Sequence, residues 1–148
     1  MAEQLQTDLL WWLIPGELAG MRKPNGAELA TLQNAGIGAI VSVMDDPGNL
    51  DLYKAAQIPH CWLPTKGGTA PTRAQIETFG QFVDQARQAG QGVAVHCSSG
   101  RRRTATFLGA YLILQGYSYD ATIAAIAQAN PTVELRAAQT EFLQALAA

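Results

Sequence analysis

Residues 93 to 106, VAVHCSSGRRRTAT, constrain the fold more tightly than any other stretch of the chain. Val93, Ala94 and Val95 form an apolar, β-branched run suited to a buried strand, Gly100 interrupts it, and TATFLGAYLILQ from Thr104 onward reads as a largely apolar helix. A strand, a tight loop and a helix N-terminus therefore follow one another. In such a loop (Ser98, Ser99, Gly100, Arg101, Arg102, Arg103) successive backbone N–H groups can converge on one point. The helix dipole adds positive character there, so the loop suits an anion. Arg103 offers a guanidinium fork that matches two oxygens of a phosphate. Cys97, at the base of the loop, lies in the same positive field, which lowers a thiol pKa. A thiolate beneath a bound phosphate is a nucleophile, and Thr104 can support its sulfur first as thiolate and later as leaving group.

The composition frames that reading. The chain has 148 residues, 48% of them hydrophobic and 15% charged, which fits one compact domain over residues 1–148, with residues 1–8 expected to fray. A formal net charge of −2 argues against general binding to nucleic acid or a membrane surface and makes Arg101–Arg103 a local basic feature. The longest early apolar run, LLWWLI at residues 9 to 14, stops at Pro15-Gly16, far short of a membrane span, with no basic segment ahead of it to make a signal peptide. Two cysteines without such a signal favour a reducing, cytoplasmic setting. A monomer without cofactor, acting on a phosphorylated protein or small molecule, is the expectation.

Along the chain, WWLIPGELAG reads as a first strand ended by Pro15 and Gly16. Asn25 and Glu28 form a capping-box pattern ahead of a helix over about 26–35, closed by Gly36. IGAIVSVMDD reads as a strand, Asn49 to Gln57 as a short helix, and IPHCWLP as another strand. Thr72 and Gln75 cap a helix carrying Ile76, Phe79, Phe82, Val83 and Ala86 on one face. Helices follow at 104–115, at YDATIAAIAQAN and from Glu134 to Leu146. Strands alternating with helices, then helices alone, predict an α/β domain: a central, mostly parallel sheet of four or five strands with helices on both faces.

HCSSGRRRT fits H-C-x5-R-[ST] and resembles the signature loop of the cysteine-dependent protein tyrosine phosphatases. WWLIPGELAG, IVSV, LPTKGGTAPT and Gln139-Thr140-Glu141-Phe142-Leu143 fall in the order found in the small single-domain dual-specificity phosphatases. The resemblance implies a tyrosine-phosphatase-like fold, with Cys97 as a nucleophile forming a phosphocysteine, Arg103 as phosphate binder and Thr104 assisting the sulfur. Gln139 would help to position the hydrolytic water. Backbone amides of residues 98–103 would carry the oxyanion. The family places an aspartate upstream, on a mobile loop, to protonate the leaving oxygen. Here that region holds Thr65, Lys66 and Gly67, and no carboxylate. Asp45 or Asp46, at the end of an earlier strand, could substitute. Arg101 and Arg102 resemble the basic pair of members acting on inositol pyrophosphates and of lipid phosphatases with basic loops.

Plainer readings exist for several of these residues. His60-Cys61 and His96-Cys97 could suggest a metal site, but neighbours on a strand point to opposite faces and no C-x2-4-C grip is present. His96 is read as fixing the loop by hydrogen bonding, and Cys61 as a half-buried strand residue, with a Cys61–Cys97 disulfide as a minor alternative. Trp11, Trp12 and Trp62 are read as core or rim aromatics. Three functions are ranked: a cysteine phosphomonoesterase, a catalytically weak phosphate-binding module, and a rhodanese-like sulfur carrier.

Overall fold

Pro15 and Gly16 reverse the chain without ending its part in the sheet. In the computed structural model, which describes residues 9–148, strand β1 (Leu10–Ile14) turns into β2 (Leu18–Met21), so the single first strand expected from sequence is a hairpin. Glu17 N–H donates to Ile14 O at 2.9 Å, and Gly16 has φ of 76°. That is a turn with proline second and a left-handed glycine third, a pairing that closes antiparallel strands. The expectation that residues 1–8 fray lies outside the described residues.

The elements continue as a 3-10 turn (Gly26–Glu28), α1 (Leu29–Asn34), β3 (Ile37–Ser42), α2 (Leu50–Ala55), β4 (His60–Trp62) and α3 (Arg73–Gln88). β5 (Gly92–His96), α4 (Arg103–Leu114), α5 (Tyr119–Ala129) and α6 (Ala137–Ala147) complete the chain. The sheet order is β1-β2-β5-β3-β4, parallel except for the β1–β2 pair. The α/β architecture with a mostly parallel sheet is therefore as the sequence implies.

β5 lies at the centre, and Val93, Ala94 and Val95 are wholly buried because helices cover both faces of the sheet. On one face Leu18, Val93, Val95, Phe79 and Phe107 join a core built with α3 and α4. On the other, Ala19, Met21, Ile40, Ala94 and Tyr53 join a smaller core built with α1 and α2. α4 is buried from Thr104 to Ile113, which explains why its sequence is apolar all round.

The last helix begins at Ala137, three residues later than Glu134. Residues ahead of it stay extended because Arg102 Nε donates to Glu134 O at 3.0 Å and the Gln139 carboxamide oxygen accepts from Arg136 N–H at 2.9 Å. Registers Met21↔His96 and Ser42↔His96 bring the C-terminal ends of β2, β3 and β5 to one edge. Ligands in open α/β sheets bind outside such strand ends.

Phe107 stacks edge-on against Phe79, with centroids 5.5 Å apart, and Phe79 likewise meets Tyr111 at 6.2 Å. Phe107→Ala is expected to cost about 3–5 kcal/mol, read as a lower urea midpoint at unchanged slope; a loss below 1 kcal/mol would show that this cluster does not hold α4 to the sheet.

Candidate active site

Cys97 follows β5 directly and α4 begins at Arg103, so the loop between them is short and fixed at both ends. Gly100 makes the loop possible. Its φ is 76°, and a Cβ there would collide with the carbonyl of Met21 at the end of β2. The loop folds over the sulfur: Thr104 Oγ1 donates to Cys97 Sγ at 3.1 Å and Gly100 N–H donates to it at 3.3 Å.

Burial pushes the Cys97 thiol up, since the residue is only 2% exposed. Opposing it, hydrogen bonds from the Thr104 hydroxyl and backbone and from Gly100 N–H, with the charge of Arg103, hold the thiol below its ordinary value of 9.0. Cys61 provides the contrast. Burial raises its thiol with no such donors to oppose it. Both cysteines are free. Cys61 and Val95 both pair with Val41 from opposite sides, so they stand two strand spacings apart, roughly 10 Å. A disulfide to Cys97 is out of reach at that separation.

Arg103 Nη1 donates to Thr65 O at 2.9 Å and to Asp45 Oδ1 at 3.3 Å. The guanidinium is thereby held between the end of β3 and residues 64–71, beside the loop it serves. Asp45 is more than half exposed at the rim. Asp46 turns away, its Oδ1 accepting from Gly48 N–H at 2.9 Å. The structure thus separates the two aspartates considered together from sequence, and only Asp45 touches Arg103.

His96 stands on the opposite face of β5 from Cys97 and is wholly buried. Its Nδ1 lies 3.2 Å from Cys97 O and its Nε2 lies 2.9 Å from Tyr53 Oη. A carbonyl can only accept, so Nδ1 carries the proton and Nε2 accepts from Tyr53. Asn49 Nδ2 in turn donates to Tyr53 Oη at 3.1 Å and to Pro24 O at 2.6 Å. Burial, with smaller effects from the charges of Lys23 and Arg103, lowers the His96 pKa from 6.5 to about 4. The imidazole is neutral and holds the loop's first carbonyl. Tyr53 is pushed up to about 12 by burial, which keeps its hydroxyl a donor. Nothing in the sequence singles out Tyr53 or Asn49, since both lie in an ordinary short helical segment.

The remaining sequence candidates divide. Ser98 and Ser99 are exposed at the mouth of the loop. Arg101 is exposed and has no ion-pair partner among the described residues, as do Lys23 and Lys66. Arg102 is tied through Nε to Glu134 O. Gln139 is wholly buried and its Nε2 donates to Thr69 O at 3.3 Å, so it bridges α6 to the 64–71 segment. Among the described residues no group of three or more His, Cys, Asp or Glu could hold a metal ion.

A cysteine of lowered pKa under a strand-to-helix loop, with an arginine at the helix start, is the arrangement of the cysteine-dependent phosphatases. Residues 17–117 match the family described as Tc-R-P, the DSP-PTPase phosphatase of polymorphic toxin systems, and the chain belongs to that family. This assignment sets aside the rhodanese-like alternative. Among curated proteins, the chain is similar to the mouse phosphatidylglycerophosphatase and protein-tyrosine phosphatase 1, 36% identical over 94 residues covering 62% of this chain and 49% of the relative. It is also similar to the phosphatidylglycerophosphate phosphatase PTPMT2 of Arabidopsis thaliana, 28% identical over 115 residues covering 74% of this chain and 50% of that protein. The chain thus spans about half the length of these relatives. Solved structures with the same fold include PTPMT1, with TM-score 0.83, 22% identity and 93% of each chain covered. Tk-PTP in its active form gives 0.85, with 23% identity and coverage of 93% of this chain and 95% of that one.

The buried neutral histidine sets a pH window. Between pH 6.5 and about 4 the unfolded chain binds a proton at His96 that the folded chain excludes. The stability that His96 contributes is therefore complete above 6.5 and is lost as pH falls toward 4, by up to about 3 kcal/mol. Urea midpoints across that window should fall more steeply for wild type than for His96→Asn. Parallel curves would show that the imidazole is not buried neutral.

Proposed function

We propose that this chain is a phosphomonoesterase that works through a phosphocysteine at Cys97. The observation that carries the reading is the Cys97 sulfur, buried yet held by Thr104 and Gly100 at 3.1 and 3.3 Å with its pKa lowered, directly under the loop and beside Arg103. The thiolate attacks phosphorus, the phosphorus–oxygen ester bond breaks, and the leaving oxygen takes the electron pair. Water then attacks the phosphocysteine, and sulfur departs as a thiolate stabilised by Thr104. Loop amides and Arg103 carry the charge on the equatorial oxygens in both steps.

Asp45 is the proposed source of the leaving-group proton, because it is the rim carboxylate in contact with Arg103. Phosphate binding competes for the same guanidinium and releases the carboxylate toward the leaving oxygen. Residues 64–71 supply no carboxylate of their own. That absence also favours a second reading, a phosphate-binding module with little turnover.

For substrate, the proposal is an aryl phosphate such as phosphotyrosine, or a polyphosphorylated small molecule such as an inositol phosphate. Arg101, Lys23 and Lys66, exposed and without ion-pair partners among the described residues, support an anion-rich substrate. One structural neighbour, PTPMT1, has been solved in complex with PI(5)P, at TM-score 0.80 and 24% identity.

An aryl group leaves as a phenolate of pKa about 10, whereas an alkoxide is far more basic and needs a proton. Wild type should turn over aryl phosphate and act weakly on phosphoserine, and Cys97→Ser should abolish turnover while inorganic phosphate still binds. Turnover by the serine variant at the wild-type rate would remove Cys97 as nucleophile. Phosphate binding without turnover by wild type would establish the binding-module reading. Asp45→Asn should flatten the limb of the kcat profile that reports the acid and lower kcat on alkyl phosphates about 100-fold, with a smaller loss on aryl phosphate. An unchanged profile would exclude Asp45 as acid.

A further inference from the structure

Three carbonyls of the phosphate loop are each taken by a donor outside the loop's own ring of amides. Cys97 O is held by His96 Nδ1 at 3.2 Å, Ser98 O by Lys23 N–H at 3.1 Å, and Gly100 O by the indole Nε1–H of Trp11 at 3.2 Å. In a trans peptide the carbonyl and the following N–H point in opposite directions. Holding these oxygens outward therefore turns the amides of Ser98, Ser99 and Arg101 toward the concave side above the sulfur. Trp11 stands apart, because its donor is a side chain reaching from another strand.

The reach is built into the hairpin. Trp11 pairs with Gly20 across β1 and β2, and a Cβ on Gly20 would stand 2.5 Å from Trp11 Cε2 and Cζ2. Gly20 is thus a notch that lets the indole lie over β2 and touch the loop. Trp11 also packs on the larger core, whereas Trp12 packs on the smaller one.

We infer that Trp11 is a positioning residue for the anion cradle: its indole N–H fixes the Gly100–Arg101 peptide so that Arg101 N–H is aimed at the phosphate. The donor to sulfur, Gly100 N–H, belongs to the preceding Ser99–Gly100 peptide. Trp11 therefore acts on oxyanion affinity and leaves the thiolate's own donors in place. This rests on the phosphatase reading above.

The test is Trp11→Phe, which keeps an aromatic ring and removes the N–H. Inorganic phosphate affinity should fall about tenfold, the loss of one well-placed hydrogen bond, and kcat/KM on aryl phosphate should fall by a similar factor. The pH profile of Cys97 alkylation by iodoacetamide should stay in place. Unchanged phosphate affinity overturns the inference, and so does a loss matched by a shift of the alkylation profile, which would mean general loosening of the loop. Should the variant not fold, the wild-type protein decides by nuclear magnetic resonance: phosphate should shift the Trp11 indole N–H resonance and slow its exchange, and an unmoved resonance overturns the assignment. A wild type that binds no phosphate defeats the underlying reading and this inference with it. A wild type that binds phosphate no better than Trp11→Phe defeats the inference alone.

Discussion

A sulfur whose charged form is favoured is costly to bury, and the contacts around Cys97 oppose that cost. At 2% exposure water cannot solvate the sulfur, so the fold supplies replacements: a hydroxyl from the first turn of α4, amides from the loop, and a guanidinium beside them. Each sits where it does for a backbone reason. Thr104 is one residue into a helix whose start is set by the loop length, and Gly100 N–H meets the sulfur because a left-handed glycine lets the loop close against Met21 O. Sulfur, helix start and glycine therefore form one unit, and moving any of them would take a donor from the buried sulfur.

The same unit needs support from below. Buried loop carbonyls need donors of their own. The outward carbonyls are held by groups that are themselves fixed: a neutral imidazole locked by Tyr53 and Asn49, the backbone at the end of β2, and an indole lodged over Gly20. Neutrality of His96 matters here. A buried imidazolium would need a second acceptor at Nε2, which the Tyr53 hydroxyl, already accepting from Asn49, supplies poorly. Charge near the sulfur is thus left to Arg103, whose guanidinium rests on Thr65 O and Asp45.

Much of this was legible in the sequence where chemistry and spacing coincide. Cys97, Gly100, Arg103 and Thr104 are close in the chain, so local rules for strand, loop and helix place them together without knowledge of the fold. Gly16 was legible as a turn but not as a hairpin, because sequence does not say whether the chain returns beside itself. α6 starts three residues later than its sequence pattern indicates because the Arg102 contact with Glu134 O, which holds the preceding segment extended, is long-range. Tyr53, Asn49 and Trp11 reach the site from elements distant in sequence, and an aromatic in a core or an asparagine at a helix start is ordinary. Only the strand order shows that they meet β5 and its loop.

Separating the cradle from the acid has its own logic. The groups that hold the Cys97 sulfur are carried by β5, its loop and the start of α4, and Arg103 reaches from them across the mouth. Residues 64–71 lie there and are tied in by Arg103 through Thr65 O and by Gln139 through Thr69 O, yet they offer a lysine where a carboxylate would serve. That segment can keep its contacts while changing its charge, because both ties use backbone oxygens and ignore the side chains. Lys66, Lys23 and Arg101 are exposed cations, and Asp45, three residues past the end of β3, is the exposed carboxylate that meets Arg103. That carboxylate stands outside the strand, loop and helix start that hold the Cys97 sulfur.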